Sequence, residues 1–289
     1  MEIDRDLFVS AGINYIYDLD EYKKSSVCSQ IATEFDEILD LNRSEVLEGR
    51  SRYMGIGKPS DYLNHLIETD EGLIIAGIRH LGNDKNKPFV FVWPSFEITS
   101  TQNIIKAISP YFKVFKPENI SYWSRPDCNN SNEKVIQQRF IGQISEMDKY
   151  DLELLKIENY YEWYKSEYDK FHKENPEYIN RIQVNSKELM DDSFKEGLLY
   201  VYKKGESNIG LVAGENDTFL GKSAIYLNEI LIGQSYRGKG YANKLLSGFV
   251  NTLNADYFIC DIDSDNIPST KTALRSGQKV FSQEIFVQI

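Results

Sequence analysis

The sequence predicts a mixed α/β (α+β) fold in two modules, and three observations predict it. Segments of helical period alternate with short runs rich in β-branched and aromatic residues, and turn residues bound those runs. The chain has 289 residues, which at roughly 100–200 residues per domain is one large domain or two modest ones. Its composition, 41% hydrophobic and 27% charged, is that of a globular chain able to bury a core without a disulfide or metal staple.

Residues 29–47 carry Ile31, Phe35, Ile38, Leu39 and Val46 at roughly helical spacing, which predicts a helix. Ser60 is an N-cap candidate for a shorter helix through Leu63, Leu66 and Ile67. The period then changes. Residues 72–79 (GLIIAGIR) and 88–98 (PFVFVWPSFEI) read as a hairpin around Gly82-Asn83-Asp84. Residues 99–112 return to a helical period, and 113–123 read as a strand that Pro117 shortens or confines to an edge. Residues 124–134 (SRPDCNNSNEK) are polar and mark an inter-domain linker, which divides the chain into 1–130 and 131–289.

Beyond the linker, residues 135–144 read as a strand. Residues 151–196 form a long, aromatic-rich and mostly helical region broken near Asn175-Pro176. Residues 198–202 and 209–214 are short strands joined by a turn at 203–208. A longer strand at 224–232, a helix at 242–253, a strand at 257–262, a short helix at 269–275 and a final strand or hairpin at 280–289 complete the chain.

Composition also excludes function classes. With 33 Lys+Arg against 44 Asp+Glu the formal net charge is −11, the opposite of the basic excess of a non-specific nucleic-acid binder. The tyrosines are interleaved with acids, as at Tyr160, Tyr161 and Glu162, rather than with the bases of a stacking groove. Residues 1–6 are charged and no apolar run follows, so no signal peptide is read. No stretch approaches the ~18 apolar residues of a membrane span. Neither nucleic acid nor membrane is an expected partner. Cys28, Cys128 and Cys260, like His65, His80 and His172, are scattered and form no CxxC, HxH or HExxH. The expectation is a cytoplasmic protein with reduced thiols and no metal site.

One segment concentrates chemistry: residues 225–246, IYLNEILIGQSYRGKGYANKLL. An apolar strand runs into a Gly-rich basic turn, which runs directly into an amphipathic helix. Gly238 and Gly240 let the backbone bend and present N–H groups. The helix start supplies unpaired N–H groups and a positive dipole end, and Arg237 and Lys239 add charge. A phosphate or pyrophosphate fits such a place. A Walker A loop is absent, and G-x-G-x-x-G/A fails because Asn243 stands at its third position.

The spacing Arg237-x-x-Gly240-x-Ala242 resembles the [Q/R]-x-x-G-x-[G/A] motif of the GNAT superfamily of N-acetyltransferases. Strand, helix and strand follow in the family's order, and Asn266 to Gly277 matches its N-x-x-[small]-x7-G segment with Ser269 as the small residue. The resemblance covers residues 136–289. It implies a GNAT-like mixed, mostly antiparallel central sheet flanked by helices, with acetyl-CoA (coenzyme A) as acyl donor. It also implies a pyrophosphate loop of Arg237, Gly238, Lys239, Gly240, Tyr241 and Ala242, with Asn266 and Ser269 as further cofactor-binding residues.

The strand before the motif slips phase. Ile225 and Leu227 alternate with Tyr226 and Asn228, then Asn228 and Glu229 are both polar, and Ile230, Leu231 and Ile232 follow. One extra residue near Asn228-Glu229 restores an apolar inner face, as a β-bulge does; a strand buried on both faces gives a similar run. In the family such a bulge goes with splaying from the neighbouring strand. The resemblance implies that N–H groups around Ile230, Leu231 and Ile232 pair with the pantetheine arm and hold the thioester oxygen. The implied reaction is direct attack by a primary amine, of a small molecule or peptide, after a base takes its proton. Glu229, the only carboxylate on this strand, is the candidate base; a structural carboxylate beside a water chain is the alternative. Cys260 on the next strand has no histidine nearby in sequence and reads as an inert thiol.

One departure stands out. Alignment on Asn266 and Gly277 puts Ala273 where many relatives carry a Tyr that protonates the departing sulfur. Another group such as Ser269 or a water acts there, or the sulfur leaves unprotonated, or CoA binds without fast turnover. The reading is an acetyl-CoA-dependent N-acetyltransferase. The alternatives are a non-catalytic CoA-binding sensor or interaction module and, third, aminoacyl transfer. Residues 45–123 repeat the same coarse element order, but the loop after their central strand, 97–102 (EITSTQ), lacks Gly and Arg. They read as a degenerate GNAT-like copy in tandem, or else as an unrelated α+β module.

Overall fold

The computed structural model describes residues 3–15, 22–127, 132–179 and 182–289. Cys128 and the centre of the expected linker, 128–131, lie outside the described residues. In chain order the elements are α1 (Arg5–Tyr15), α2 (Lys24–Asp40), α3 (Ser44–Met54), β1 (His65–Thr69), β2 (Gly72–His80), β3 (Pro88–Pro94), α4 (Thr101–Ile108), β4 (Asn119–Ser124) and β5 (Glu133–Gln143). Then come α5 (Tyr161–Glu174), α6 (Lys187–Lys195), β6 (Leu199–Lys204), β7 (Ser207–Phe219), β8 (Lys222–Ile232), α7 (Tyr241–Thr252), β9 (Tyr257–Asp263), α8 (Ile267–Arg275) and β10 (Lys279–Gln288). The chain divides into two compact units, 1–138 with 281–289, and 139–280. It leaves the first unit within β5 and returns to it within β10.

In the first unit β1, β2 and β3 form an antiparallel meander, β4 runs parallel to β3, and β10 pairs antiparallel with β4. Strand alternation puts Ile74, Ala76, Ile78, Val90 and Val92 on one face, packed with Leu47 of α3 and Ile104 and Ile108 of α4. The opposite face carries Trp93, whose ring meets Phe35 of α2 edge-on at 5.7 Å. The helix expected from Ser60 through Ile67 is instead a 3-10 turn at Pro59–Tyr62 followed by β1. Leu63, Leu66 and Ile67 suit a helical stripe, but β2 offers residues 65–69 an unbroken antiparallel register from His65↔Ala76 to Thr69↔Gly72. Long-range pairing overrides a short local period. The strand expected over 113–123 begins only at Asn119, because the chain turns at Lys116, with a left-handed φ of 51°, ahead of Pro117.

The second unit repeats this internal order. β6, β7 and β8 form an antiparallel meander, β9 runs parallel to β8, and β5 lies beside β9. On one face Val212, Ile225, Leu245, Phe249 and Phe258 make a core with α7. On the other, Leu199, Val201, Leu211, Ala213 and Leu231 pack against Tyr160, Tyr164 and Met190 of the α5–α6 layer. The helical expectation over 151–196 resolves into α5 and α6, with Leu155 instead bridging Val201 in the extended lead-in. β7 runs on to Phe219, beyond the expected Gly214, because Leu220 and Gly221 at φ 53° and 72° make a tight two-residue hairpin turn into β8.

Phe249 is fully buried between α7 and the sheet. Phe249→Ala should lower unfolding free energy by about 3–5 kcal/mol, read from the midpoint of a urea titration.

Candidate active site

Strand β8 carries one residue more than its partner. Ala213 of β7 pairs with Glu229 and Gly214 with Leu227, which leaves Asn228 as the extra residue of a β-bulge. The surplus turns Asn228 and Glu229 to the same side of the sheet, the α5–α6 side, and restores Ile230 and Ile232 to the α7 side with Ile225 and Leu227. Three contacts hold the bulge. The Asn228 carbonyl accepts from Asn185 Nδ2 at 3.1 Å, and Asn228 Nδ2 reaches Ser193 Oγ at 3.3 Å and Glu215 Oε2 at 3.4 Å.

On its other edge β8 pairs with β9 only from Ala224↔Tyr257 to Tyr226↔Ile259. The strands then part around a cleft of about 790 Å³. Gly233 N–H bonds to Ile209 O on β7 at 2.9 Å, so by alternation the backbone of Leu231 also faces β7. Those of Ile230 and Ile232 face the β9 side. Of the three expected backbone contacts, Ile230 and Ile232 therefore turn toward the cleft, while Leu231 turns its main chain to β7 and its side chain into the α5–α6 layer.

The loop that follows β8 also lines this cleft. Gly238 and Gly240 adopt left-handed φ values of 72° and 78°, where a side chain is strained, and Gly240 is the N-cap of α7 without a side-chain capping bond. The first-turn N–H groups of α7 therefore point out of the helix with its positive dipole end. Arg237 ties the loop to the strand, its Nε donating to Ile232 O at 3.1 Å and its guanidinium lying over the Phe171 ring at 5.7 Å. Lys239 Nζ donates to Ser235 O at 2.8 Å. Tyr241 and Ala242 form the first turn of α7 and line the cleft. Across it, Asn266 caps α8 by accepting the Ser269 N–H at 3.3 Å, and both residues line the same space.

Glu229 lies where the strands part. Its Oε2 accepts hydrogen bonds from Tyr164 Oη at 2.6 Å and Tyr168 Oη at 2.7 Å. Burial pushes its carboxyl above the ordinary carboxylate value, against the two phenols and the Ile230 N–H, which favour the charged form. Sequence reasoning missed Tyr164 and Tyr168. Their spacing of four puts both on one helix face, but nothing local says which strand residue that face meets. Glu167, on the same helix, accepts from Gln234 N–H at 2.8 Å and from Lys170 Nζ at 2.5 Å. Burial would raise its carboxyl, and these donors together with Arg237 outweigh that and hold it below the usual value.

Cys260, which also borders the cleft, is buried, and desolvation pushes its thiol up to about 12. It is protonated and inert at neutral pH. Ala273 is buried among Phe140, Cys260 and Ile262, so its place on α8 is packing and offers no proton donor.

Residues 157–277 match the acetyltransferase (GNAT) family model. The GCN5-related N-acetyltransferase from Sphaerobacter thermophilus is similar in fold, with a TM-score of 0.50 at 11% identity over 85% of this chain and 91% of that one. An acetyltransferase from the GNAT family from Colwellia psychrerythraea aligns at a TM-score of 0.45 and 13% identity over 75% of this chain and 85% of that one. No curated protein matches the chain. Among the described residues, no helix is long and apolar enough to cross a membrane.

The environment of Glu229 makes a signed prediction. A carboxyl raised in the folded state contributes its full stability below the ordinary carboxylate range and loses it as pH rises through the folded value. Glu229→Gln, which keeps an acceptor for both phenols, should therefore raise Tm at about pH 7.5 by ~2–4 °C, and the gain should vanish near about pH 4. Differential scanning calorimetry across that range checks it.

Proposed function

We propose that this chain, whose residues 157–277 match the GNAT acetyltransferase family model, transfers an acetyl group from acetyl-CoA to a primary amine of a small molecule or peptide. The observation that carries the reading is continuity. The parted β8 and β9, the Gly238–Gly240 turn and the start of α7 all line one cleft, with Glu229 inside it.

The residues present fit the donor. A pyrophosphate needs several N–H donors converging on one point, and a glycine N-cap without a side-chain capping bond supplies them at α7. Arg237, Gly238, Lys239, Gly240, Tyr241 and Ala242 would hold it, with Asn266 and Ser269 across the cleft. The Ile232 N–H and Ile230 C=O face the side on which a pantetheine arm would lie, the Ile232 carbonyl being taken by Arg237. Bound acetyl-CoA supplies a thioester carbonyl open to an amine. Glu229 takes the proton that the amine loses, and a raised carboxyl pKa moves it toward the range where a general base works at neutral pH. The net charge of −11 suits a cationic acceptor.

The first unit we take to be a degenerate copy without a CoA site. It has the same internal strand order, yet β3 pairs with β2 in unbroken register where β8 has its bulge. Its helix after the central strand is capped from within, Ser100 Oγ accepting the Gln102 N–H at 3.4 Å where α7 has Gly240. A second reading of the whole chain, a non-catalytic CoA-binding sensor or interaction module, is favoured by Ala273 alone. Release of thiol from acetyl-CoA in the presence of a panel of amines separates the two.

Two outcomes are expected. Acetyl-CoA at 100 times its Kd should stabilise the protein by about 2.7 kcal/mol with one site per chain, and Gly240→Asp should abolish the shift. Calorimetric titration finding two sites, or no shift at millimolar ligand, contradicts the reading. Glu229→Gln should lower kcat ~10²-fold with acetyl-CoA affinity nearly unchanged, measured by steady-state thiol release.

A further inference from the structure

Tyr164 and Tyr168 stand one turn apart on α5 with ring centroids 5.1 Å apart, and both hydroxyls donate to the same oxygen of Glu229. They differ in what else they meet. Tyr164 is fully buried, and its oxygen also accepts the Asn185 N–H at 3.0 Å. Tyr168 is only partly buried and lines the cleft. Of the two phenols, Tyr168 is the one open to the cleft that Glu229 also lines. At the same time Ala273 supplies no acid for the departing sulfur. The proton that sulfur needs is the one the amine loses.

We propose that Tyr168 is a further catalytic residue, a hydroxyl that conducts the acceptor's proton to Glu229 and returns it to the leaving sulfur. The proposal rests on the acetyl-transfer reading above. The nitrogen lone pair forms the C–N bond, and the C–S bond breaks with its electron pair going to sulfur. As the amine proton passes to Tyr168 Oη, the Tyr168 proton passes to Glu229 Oε2. The reverse transfer, from Glu229 through Tyr168 to sulfur, regenerates carboxylate and phenol and leaves a neutral thiol. Nitrogen and sulfur share one carbon during the transfer, so a single hydroxyl facing that carbon reaches both. Burial and the nearby Glu229 raise the phenol's pKa, which keeps Tyr168 protonated between turnovers. Tyr164, closed off by Asn185, is a positioning residue.

The groups around Glu229 define what a titration reads. Tyr164 and Tyr168 face it from α5, the Ile230 N–H donates from β8, and Ala213 stands opposite on β7. Arg237 acts on Tyr168 from the loop, and Asp261, paired with Arg139 at 3.0 Å, lines the cleft from β9 with the neutral Cys260.

Tyr168→Phe removes the hydroxyl and keeps the ring. In the protein without ligand, carbon-13 NMR of the Glu229 carboxyl should show its titration midpoint rising by about one pH unit, because one donor to the charged form is gone. An unmoved midpoint overturns the link. With acetyl-CoA and a panel of acceptors (spermidine, tyramine and a lysine peptide), kcat should fall ~10²-fold while the Kd for CoA stays within about two-fold. A kcat within about two-fold of wild type overturns the proposal. Should the variant not fold, a proton inventory on the unmodified protein decides. Two protons in flight bow the dependence of kcat on deuterium content, and a linear dependence overturns the relay. If wild type releases no thiol with any of these amines, the acetyl-transfer reading fails and the relay falls with it. Failure of the relay alone leaves wild-type turnover and CoA binding in place.

Discussion

Strand β8 has one residue more than β7 between the pairs at Ala213 and Gly214, and the candidate site is built on that surplus. Without Asn228 in the bulge, Glu229 would fall on the α7 side among Leu245 and Phe249, and the isoleucines would point away from that core. With it, the apolar alternation resumes one residue later and a carboxylate stands beside α5. Past Tyr226 the partner β9 has left, so the ladder on that edge ends where the cleft begins. The bulge and the parting sit next to each other, which fits the tendency of bulges to bend a strand and end pairing.

Holding a carboxyl there is unfavourable in itself, and the surroundings offset it with directed donors. Two phenols and one N–H converge on Glu229, Tyr164 is fixed in turn by Asn185, and Asn185 also holds the bulge carbonyl. Bulge, carboxyl and helix are thus one connected polar network. The same desolvation that raises the Glu229 carboxyl makes its charged form costly to the folded state.

The two units differ in local detail. Their strand order is the same, and both bury well-filled faces against helices. The first closes the start of its helix with Ser100, keeps β2 and β3 in step, and has no glycine in residues 95–100 between β3 and α4. In the second, Gly240 leaves the start of α7 without a side-chain cap and β8 is out of step with β7 by one residue. The differences lie in local capping and register, and the fold tolerates either choice.

The order of elements in the second unit, the glycine loop and the phase slip at Asn228-Glu229 were all legible in the sequence, because each is a local signal: a period, a turn residue, an alternation that breaks. The short helix expected at residues 60–67 was not, since a five-residue segment takes its conformation from the strand it pairs with, and β2 outweighed the stripe of Leu63, Leu66 and Ile67. Nor did local pattern distinguish Leu231 from its neighbours. Only the ladder with β7 decides which backbone groups of 230–232 face outward. Glu229 could be picked out as the lone carboxylate of its strand, but its partners could not. Tyr164 and Tyr168 lie more than sixty residues away in sequence, at |i−j| of 65 and 61, and only the packing of α5 over the bulge brings their hydroxyls to it. What the sequence determined is the order of elements in the second unit and the place of the glycine loop. The tertiary structure decided which groups meet inside the cleft, because hydrogen bonds of a few ångströms depend on packing between distant elements that no local periodicity encodes.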